Sequence, residues 1–148
     1  MQKITPFLWF DGNAEEAVDY YISVFKDGKK TGAAPGPGGK PLTVVFQING
    51  QDFIALNGGP MFKFTEAISF VVTCETQEEI DDLWGKLTAN GGQESMCGWL
   101  KDKFGLSWQI VPPVLGKLLS DKDSVKAGRV MQAMLKMKKI IIADLENA

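Results

Sequence analysis

A pattern near the start of the chain is written again 63 residues later. Ile4–Phe10 is apolar and aromatic, with Thr5 and Pro6 near its start, and reads as a strand. Asn13 followed by Glu16 makes an N-x-x-E helix start, a variant of the capping box. Ala14, Ala17, Val18, Tyr21, Val24 and Phe25 then fall at helical spacing until Gly28. In the second copy Ile68–Cys74 is the strand, Thr76 with Glu79 the capping box, and Ile80, Leu83, Trp84 and Leu87 the stripe before Gly91-Gly92. Phe7 and Phe70, Glu15 and Glu78, Glu16 and Glu79, and Asp19 and Asp82 are identical at the same offset. Asn13 and Thr76 share the cap position, and Tyr21 and Trp84 share an aromatic one. Two caps and two apolar stripes in register predict two copies of one βα unit, each followed by strands.

The rest of the chain fills out that unit. Gly28–Gly39 is rich in glycine and proline and is expected to be a mobile loop. Pro41–Ile48 and Gln51–Asn57 read as strands joined at Asn49-Gly50, a pair suited to the positive φ angles of a tight hairpin turn. Gly58-Gly59-Pro60 breaks the chain. In the second copy Gln93–Lys101 and Gly105–Val111 read as strands with Asp102–Gly105 as the turn, and Pro112-Pro113 ends the sheet. Leu115–Leu119 is a short helix. Val125–Met137 is a longer one, its stripe being Ala127, Val130, Met131, Met134 and Leu135, with Lys136, Lys138 and Lys139 near the end where cations suit the dipole. Ile140–Leu145 extends that helix or forms another. A βαβββ unit used twice has one natural geometry, in which two curved halves enclose a cleft.

Composition narrows the chemistry. The 148 residues include 16 Lys+Arg, 18 Asp+Glu and no histidine. A net charge of −2 argues against a nucleic-acid partner, because phosphate neutralisation needs a basic surplus. Without histidine there is no imidazole metal site, no Ser-His-Asp or Cys-His nucleophile and no histidine general base. The opening MQKITPFLWFDGN is too short and too soon interrupted for a signal peptide or membrane span. Two cysteines, Cys74 and Cys97, do not make a disulfide scaffold, so a cytoplasmic location with both thiols reduced is expected.

The order of elements resembles the vicinal oxygen chelate superfamily of glyoxalases, extradiol dioxygenases and bleomycin-resistance proteins. ITPFLWFDGNAEEAVDYYISVF, FIALNGGPMFKFTEAISFVV and CGWLKDKFGLSWQIVP resemble its PhnB-like subgroup, often labelled demethylubiquinone-methyltransferase-like. The resemblance implies an α+β fold: two βαβββ modules forming a curved mixed sheet around a cleft, with C-terminal helices. It implies one glyoxalase/bleomycin-resistance-like domain, with module one at 1–60, module two at 61–113 and a helical extension at 114–148. It also implies a homodimer. Such proteins carry a full strand after the first helix, whereas only Lys29–Ala34 remain here, so that strand is expected to be short or absent.

Metal-binding members use four strand positions, commonly His and Glu. Carried over, these fall on Pro6, near Ala55 (with Asn57 two residues further on the same strand face), on Ser69 and on Gln109. Pro6 and Ala55 have no donor side chain, and Ser69 and Gln109 are weak neutral ligands, so no metal site is expected. The methyltransferase label implies a methyl donor, but no glycine-rich strand-to-helix turn offers it a seat, and no cofactor is expected.

The candidate ligand-binding residues are Phe10, Asn57, Ser69, Trp99 and Gln109, with no catalytic residue assigned. Ser107, Gln109 and Val111 share one strand face and Ser69, Val71 and Thr73 another, with the bulkier neighbours turned toward the helices. Gln109 either contacts a ligand or satisfies a nearby backbone group; the Ser69 face lines a cavity or is merely wet. Leu8 and Phe10 line the cleft or fill the core. Trp99 is a stacking wall or an interface residue. Cys97 would need Lys101 or Lys103 to become a nucleophile; Cys74 reads as buried core. Asp102-Lys103 reads as turn chemistry and a solvated pair, and the Glu15-Glu16 and Glu78-Glu79 pairs as capping. Three functions stand: a metal-free protein binding a small, partly apolar molecule in an aromatic cleft, an enzyme with a histidine-free mechanism, or a structural dimer module without ligand.

Overall fold

The computed structural model describes residues 2–148, and the doubled pattern folds twice. In the first half β1 (Phe7–Phe10) leads into α1 (Ala14–Val24), followed by β2 (Lys29–Pro35), β3 (Pro41–Ile48) and β4 (Gln51–Asn57). In the second, β5 (Phe70–Thr73) leads into α2 (Gln77–Thr88), then β6 (Gln93–Glu94), β7 (Trp99–Lys101) and β8 (Ser107–Val111). First strands and helices both begin 63 residues apart, at Phe7 and Phe70 and at Ala14 and Gln77. The two four-stranded sheets have equivalent orders, β1-β4-β3-β2 and β5-β8-β7-β6, each with its first and last strands parallel. The fold is α+β, as the repeat predicts. The chain divides into two compact units, residues 1–64 and 65–148.

In the first unit α1 buries Ala14, Ala17, Val18, Tyr21 and Val24. Tyr21 stacks on Phe46, and Phe46 on Phe53 at 5.3 Å between ring centres. Aromatic burial of this kind supplies about 1.5–3 kcal/mol per side chain. Asn13 makes no side-chain cap. Asn57 does that work from β4: its Oδ1 accepts from Ala14 N–H at 2.9 Å, and its Nδ2 donates to the Pro41 carbonyl at 2.9 Å. The hairpin turn at Asn49-Gly50 has positive φ at both residues, as its sequence requires.

The expected mobile loop and missing strand are both overturned. Lys29–Pro35 is a seven-residue strand paired antiparallel with β3, with irregular register at Lys30/Gly32 and Ala34/Pro35. It is an edge strand whose side chains are nearly all exposed, so it carries no apolar pattern to read. Its backbone ladder alone defines it.

In the second unit Thr76 Oγ1 accepts from Glu79 N–H at 3.2 Å, the expected cap. Ile80, Leu83, Trp84 and Leu87 are buried, as are Val72, Leu100, Leu106, Trp108 and Ile110. The single strand expected over Gln93–Lys101 is in fact two, β6 and β7. Cys97 (φ 61°) and Gly98 (φ 84°) turn the chain between them, with Trp99 N–H donating to the Met96 carbonyl at 3.1 Å. Asp102 is also not solvated. It is 2% exposed, and Oδ1 accepts from Phe104 N–H (2.8 Å) and Leu106 N–H (3.1 Å) while Oδ2 accepts from Trp108 Nε1–H (2.9 Å).

After β8 come α3 (Pro113–Leu119), α4 (Ser124–Leu135) and α5 (Ile142–Glu146). Leu115, Val130, Met137, Ile140 and Leu145 form their core. Of the expected stripe Val130 and Met134 pack into this core, whereas Met131 and Leu135 are 39% and 49% exposed and Ala133 and Met137 pack there instead. Gln77 clamps this extension, donating to the Ile140 carbonyl at 3.0 Å and accepting from Ile142 N–H at 2.8 Å. Cys97 and Gly98 donate to the Met137 and Lys138 carbonyls, both at 2.8 Å, and Lys139 pairs with Asp81 at 2.8 Å. That ammonium, hydrogen-bonded to Asp81, holds its carboxyl below the usual range.

Candidate functional site

Alternation along the strands gives each sheet a helix-packed face and an opposite, open face. In the first sheet Leu8 pairs with Ala55, and Phe10 with Asn57. These residues share the face of Phe46 and Phe53, on which α1 packs. Phe10 is 3% exposed, with its ring edge-on to Phe64 at 5.3 Å between ring centres, and both amide atoms of Asn57 are engaged. Leu8 and Phe10 therefore fill the core, and Asn57 is a helix cap; the open face carries Phe7, Trp9, Ile54 and Leu56 instead. Trp9 donates its indole N–H to the Gly59 carbonyl at 2.9 Å, lies edge-on to Phe62 and fills the space over Gly58.

The second sheet brings the other three candidates together. Val71 pairs with Gln109 and Gln109 with Trp99, so these three lie across one open face, with Lys101 and Ser107 as the next pair along it. Gln109 Nε2 donates to Ser69 Oγ at 3.0 Å. Val71 is 57% exposed on the same face, and Gln109 and Trp99 are half-buried. An amide carbonyl, a hydroxyl, an indole and an exposed valine thus line one surface.

Beside them a cavity of about 250 Å³ is lined by Glu66, Gln93, Glu94, Trp99, Lys101 and Ser107, among others. Lys101 pairs with Glu66 and, as its hydrogen-bond donor, holds that carboxyl below the usual range. Glu94 Oε1 accepts from the Trp84 indole N–H at 3.1 Å. Ser107 is 1% exposed, and its Oγ has no hydrogen-bond partner. The sequence placed Ser107 on this face, but its orphaned hydroxyl emerges only from the packing.

The four positions where the superfamily holds a metal do not suit one. Ala55 lies on the helix-packed face, Pro6 has no donor side chain, and Gln109 and Ser69 are neutral and bonded to each other. Among the described residues no group of three or more His, Cys, Asp or Glu could hold an ion. Nor do the glycines suit a methyl donor. The single glycine before α1, Gly12, precedes a helix start whose first amide is taken by Asn57, and the space over Gly58 is filled by Trp9.

Neither cysteine is bonded to the other. Cys74 is fully buried, and that burial pushes its thiol up to about 11. An unfolded thiol ionises near 8.5, so the folded state holds this proton more tightly. The resulting stabilisation is complete below about pH 8.5 and is lost as pH rises toward 11. Chemical denaturation across that window should show wild type losing more stability than Cys74→Ala; parallel curves would refute the assignment.

The sequence model of a family described as 3-demethylubiquinone-9 3-methyltransferase matches residues 2–111, ending with β8 and leaving α3–α5 beyond it. The chain is similar to the Bacillus cereus PhnB protein, with 39% identity and a TM-score of 0.69 over 75% of this chain and 99% of that one. A Pseudomonas aeruginosa protein superposes with a TM-score of 0.63 at 20% identity, over 76% of this chain and 98% of its own. The fosfomycin resistance protein FosX of Listeria monocytogenes shares the fold at 10% identity, with a TM-score of 0.54 over 74% of this chain and 90% of its own. No curated protein matches. Among the described residues no helix is long and apolar enough to cross a membrane.

Proposed function

Because this chain belongs to the PhnB-like family described as 3-demethylubiquinone-9 3-methyltransferase, within the glyoxalase/bleomycin-resistance/dioxygenase fold, we propose that it is a metal-free small-molecule-binding protein. The ligand sits on the open face of the second sheet, at Ser69, Trp99 and Gln109. The observation that carries this reading is the Gln109–Ser69 hydrogen bond. Two positions that would grip a cation in metal-dependent relatives instead offer a neutral amide and hydroxyl, next to an indole. Such a surface suits a molecule with an apolar or aromatic body and one or two polar groups. Methyl transfer is not part of the proposal, since the chain has no glycine-rich strand-to-helix turn to seat a methyl donor.

The protein acts as a homodimer in the cytoplasm. Supporting this are two free thiols, and exposed apolar side chains, including Ile68 at 65% and Met61 at 76%, that a partner copy would cover.

Thermal-shift screening of small aromatic compounds should find a saturable ligand. At one hundred times its Kd a ligand stabilises by about 2.7 kcal/mol. Gln109→Ala and Ser69→Ala should weaken that ligand at least about tenfold, the cost of one hydrogen bond left unmade. A blank screen, with both variants altering stability alone, refutes the reading in favour of a structural dimer module. A tightly held zinc, nickel or manganese in native material would also overturn it.

A further inference from the structure

The cavity beside Trp99 carries more chemistry than a site for an apolar molecule requires. Its wall holds a hydroxyl, Ser107 Oγ, that is buried and bonds to nothing in the protein. A buried hydroxyl without a protein partner is costly, and a polar group entering from the cavity would satisfy it. The same wall presents the Lys101 cation and the carboxylates of Glu66 and Glu94. Glu94 is committed through Oε1 to the Trp84 indole, which leaves Glu66 and Lys101 paired with each other. That pair is exposed, at 57% and 39% of the two side chains. Exposed ion pairs contribute little, about 0–1 kcal/mol, so separating this one costs little.

Resting on the reading that this face binds a small molecule, we propose that the cavity takes a small zwitterion bearing an amine and a carboxylate, the chemistry of a free α-amino acid. The ammonium replaces Lys101 as the partner of Glu66. The carboxylate takes the released Lys101 and receives the Ser107 O–H. Trp99, shared with the Ser69–Gln109 surface, contacts the side chain of the ligand. The volume of about 250 Å³ suits a molecule of that size.

Titration calorimetry with the twenty standard L-amino acids tests this, together with the decarboxylated amine and the deaminated acid of each one that binds. At least one amino acid should bind saturably, with both counterparts at least about tenfold weaker. Ser107→Ala should weaken it roughly tenfold while leaving the unliganded melting temperature unchanged or raised, because an unpartnered hydroxyl is removed. Lys101→Met and Glu66→Gln should each cost at least tenfold. Equal binding of the amine or the acid alone would overturn the proposal, as would a loss of unliganded stability in Ser107→Ala with no effect on affinity. If aromatic compounds bind in a Gln109-dependent way and no amino acid does, the zwitterion assignment fails and the broader reading stands. If neither panel binds, both fail.

Discussion

Asp102→Ala should unfold at a temperature lower by roughly 10 °C. The carboxylate is buried and organises the β7–β8 turn from within, holding two backbone N–H groups and the indole of Trp108. Hydrogen bonds to a charged group contribute about 1.5–3 kcal/mol, and each donor left unsatisfied in a buried place costs about 1–3 kcal/mol. A net loss of about 3–5 kcal/mol follows, and each kcal/mol moves the melting temperature of a chain this long by about 2–4 °C. Asp102→Asn should recover only part of this. Its amide oxygen can still accept from Phe104 and Leu106, but its NH₂ meets the Trp108 N–H donor to donor. Asp82→Ala is the contrast: its exposed pairing with Lys86 at 3.0 Å is worth no more than about 0.5 kcal/mol. Equal melting temperatures for the Asp102 and Asp82 variants would show that the buried carboxylate holds nothing together.

The second large effect is steric. A Cβ added at Gly58 would lie 2.6 Å from Trp9 Cζ2 and 2.7 Å from Cδ2. The indole cannot swing aside cheaply, since its N–H is bonded to the Gly59 carbonyl and Phe62 stands edge-on at 4.9 Å. Gly58→Ala should therefore cost about 1–3 kcal/mol, the usual range for forcing a methyl into a filled space. In a Trp9→Ala background the same change should be nearly neutral. A double-mutant cycle by urea denaturation should give a coupling of about 2 kcal/mol between the two sites. Additive effects would place the strain elsewhere.

The repeat was legible because it is carried by amphipathic spacing and caps, which are local properties. The start of each strand and helix at a common offset follows from that. Faces were legible only where side chains alternate. Along β8, Ser107 and Gln109 alternate with Trp108 and Ile110, so the open face could be assigned. Phe7-Leu8-Trp9-Phe10 has no polar member, so nothing in it distinguished the two sides, and Phe10 turned out to fill the core. Asn57 looked like a site residue because it stands two residues beyond the position near Ala55 where relatives hold a metal; its amide is instead bonded to Ala14 and Pro41, distant in sequence. β2 could not be read because an edge strand of small and polar residues is defined by its neighbour's backbone. The Ser107 cavity arises from tertiary packing and has no one-dimensional signature.

The two helix starts are finished in different ways, and this makes the halves unequal as building material. The first helix takes its end cap from Asn57, inside its own half. The residue after the second helix cap, Gln77, reaches instead to Ile140 and Ile142, in chain that lies beyond the repeated pattern. A chimaera carrying the first half twice would need no tail. One carrying the second half twice would need two, and trimming the protein back to the end of β8 would take the Met137 and Lys138 carbonyls from the Cys97 and Gly98 amides. The appendage has become a foundation.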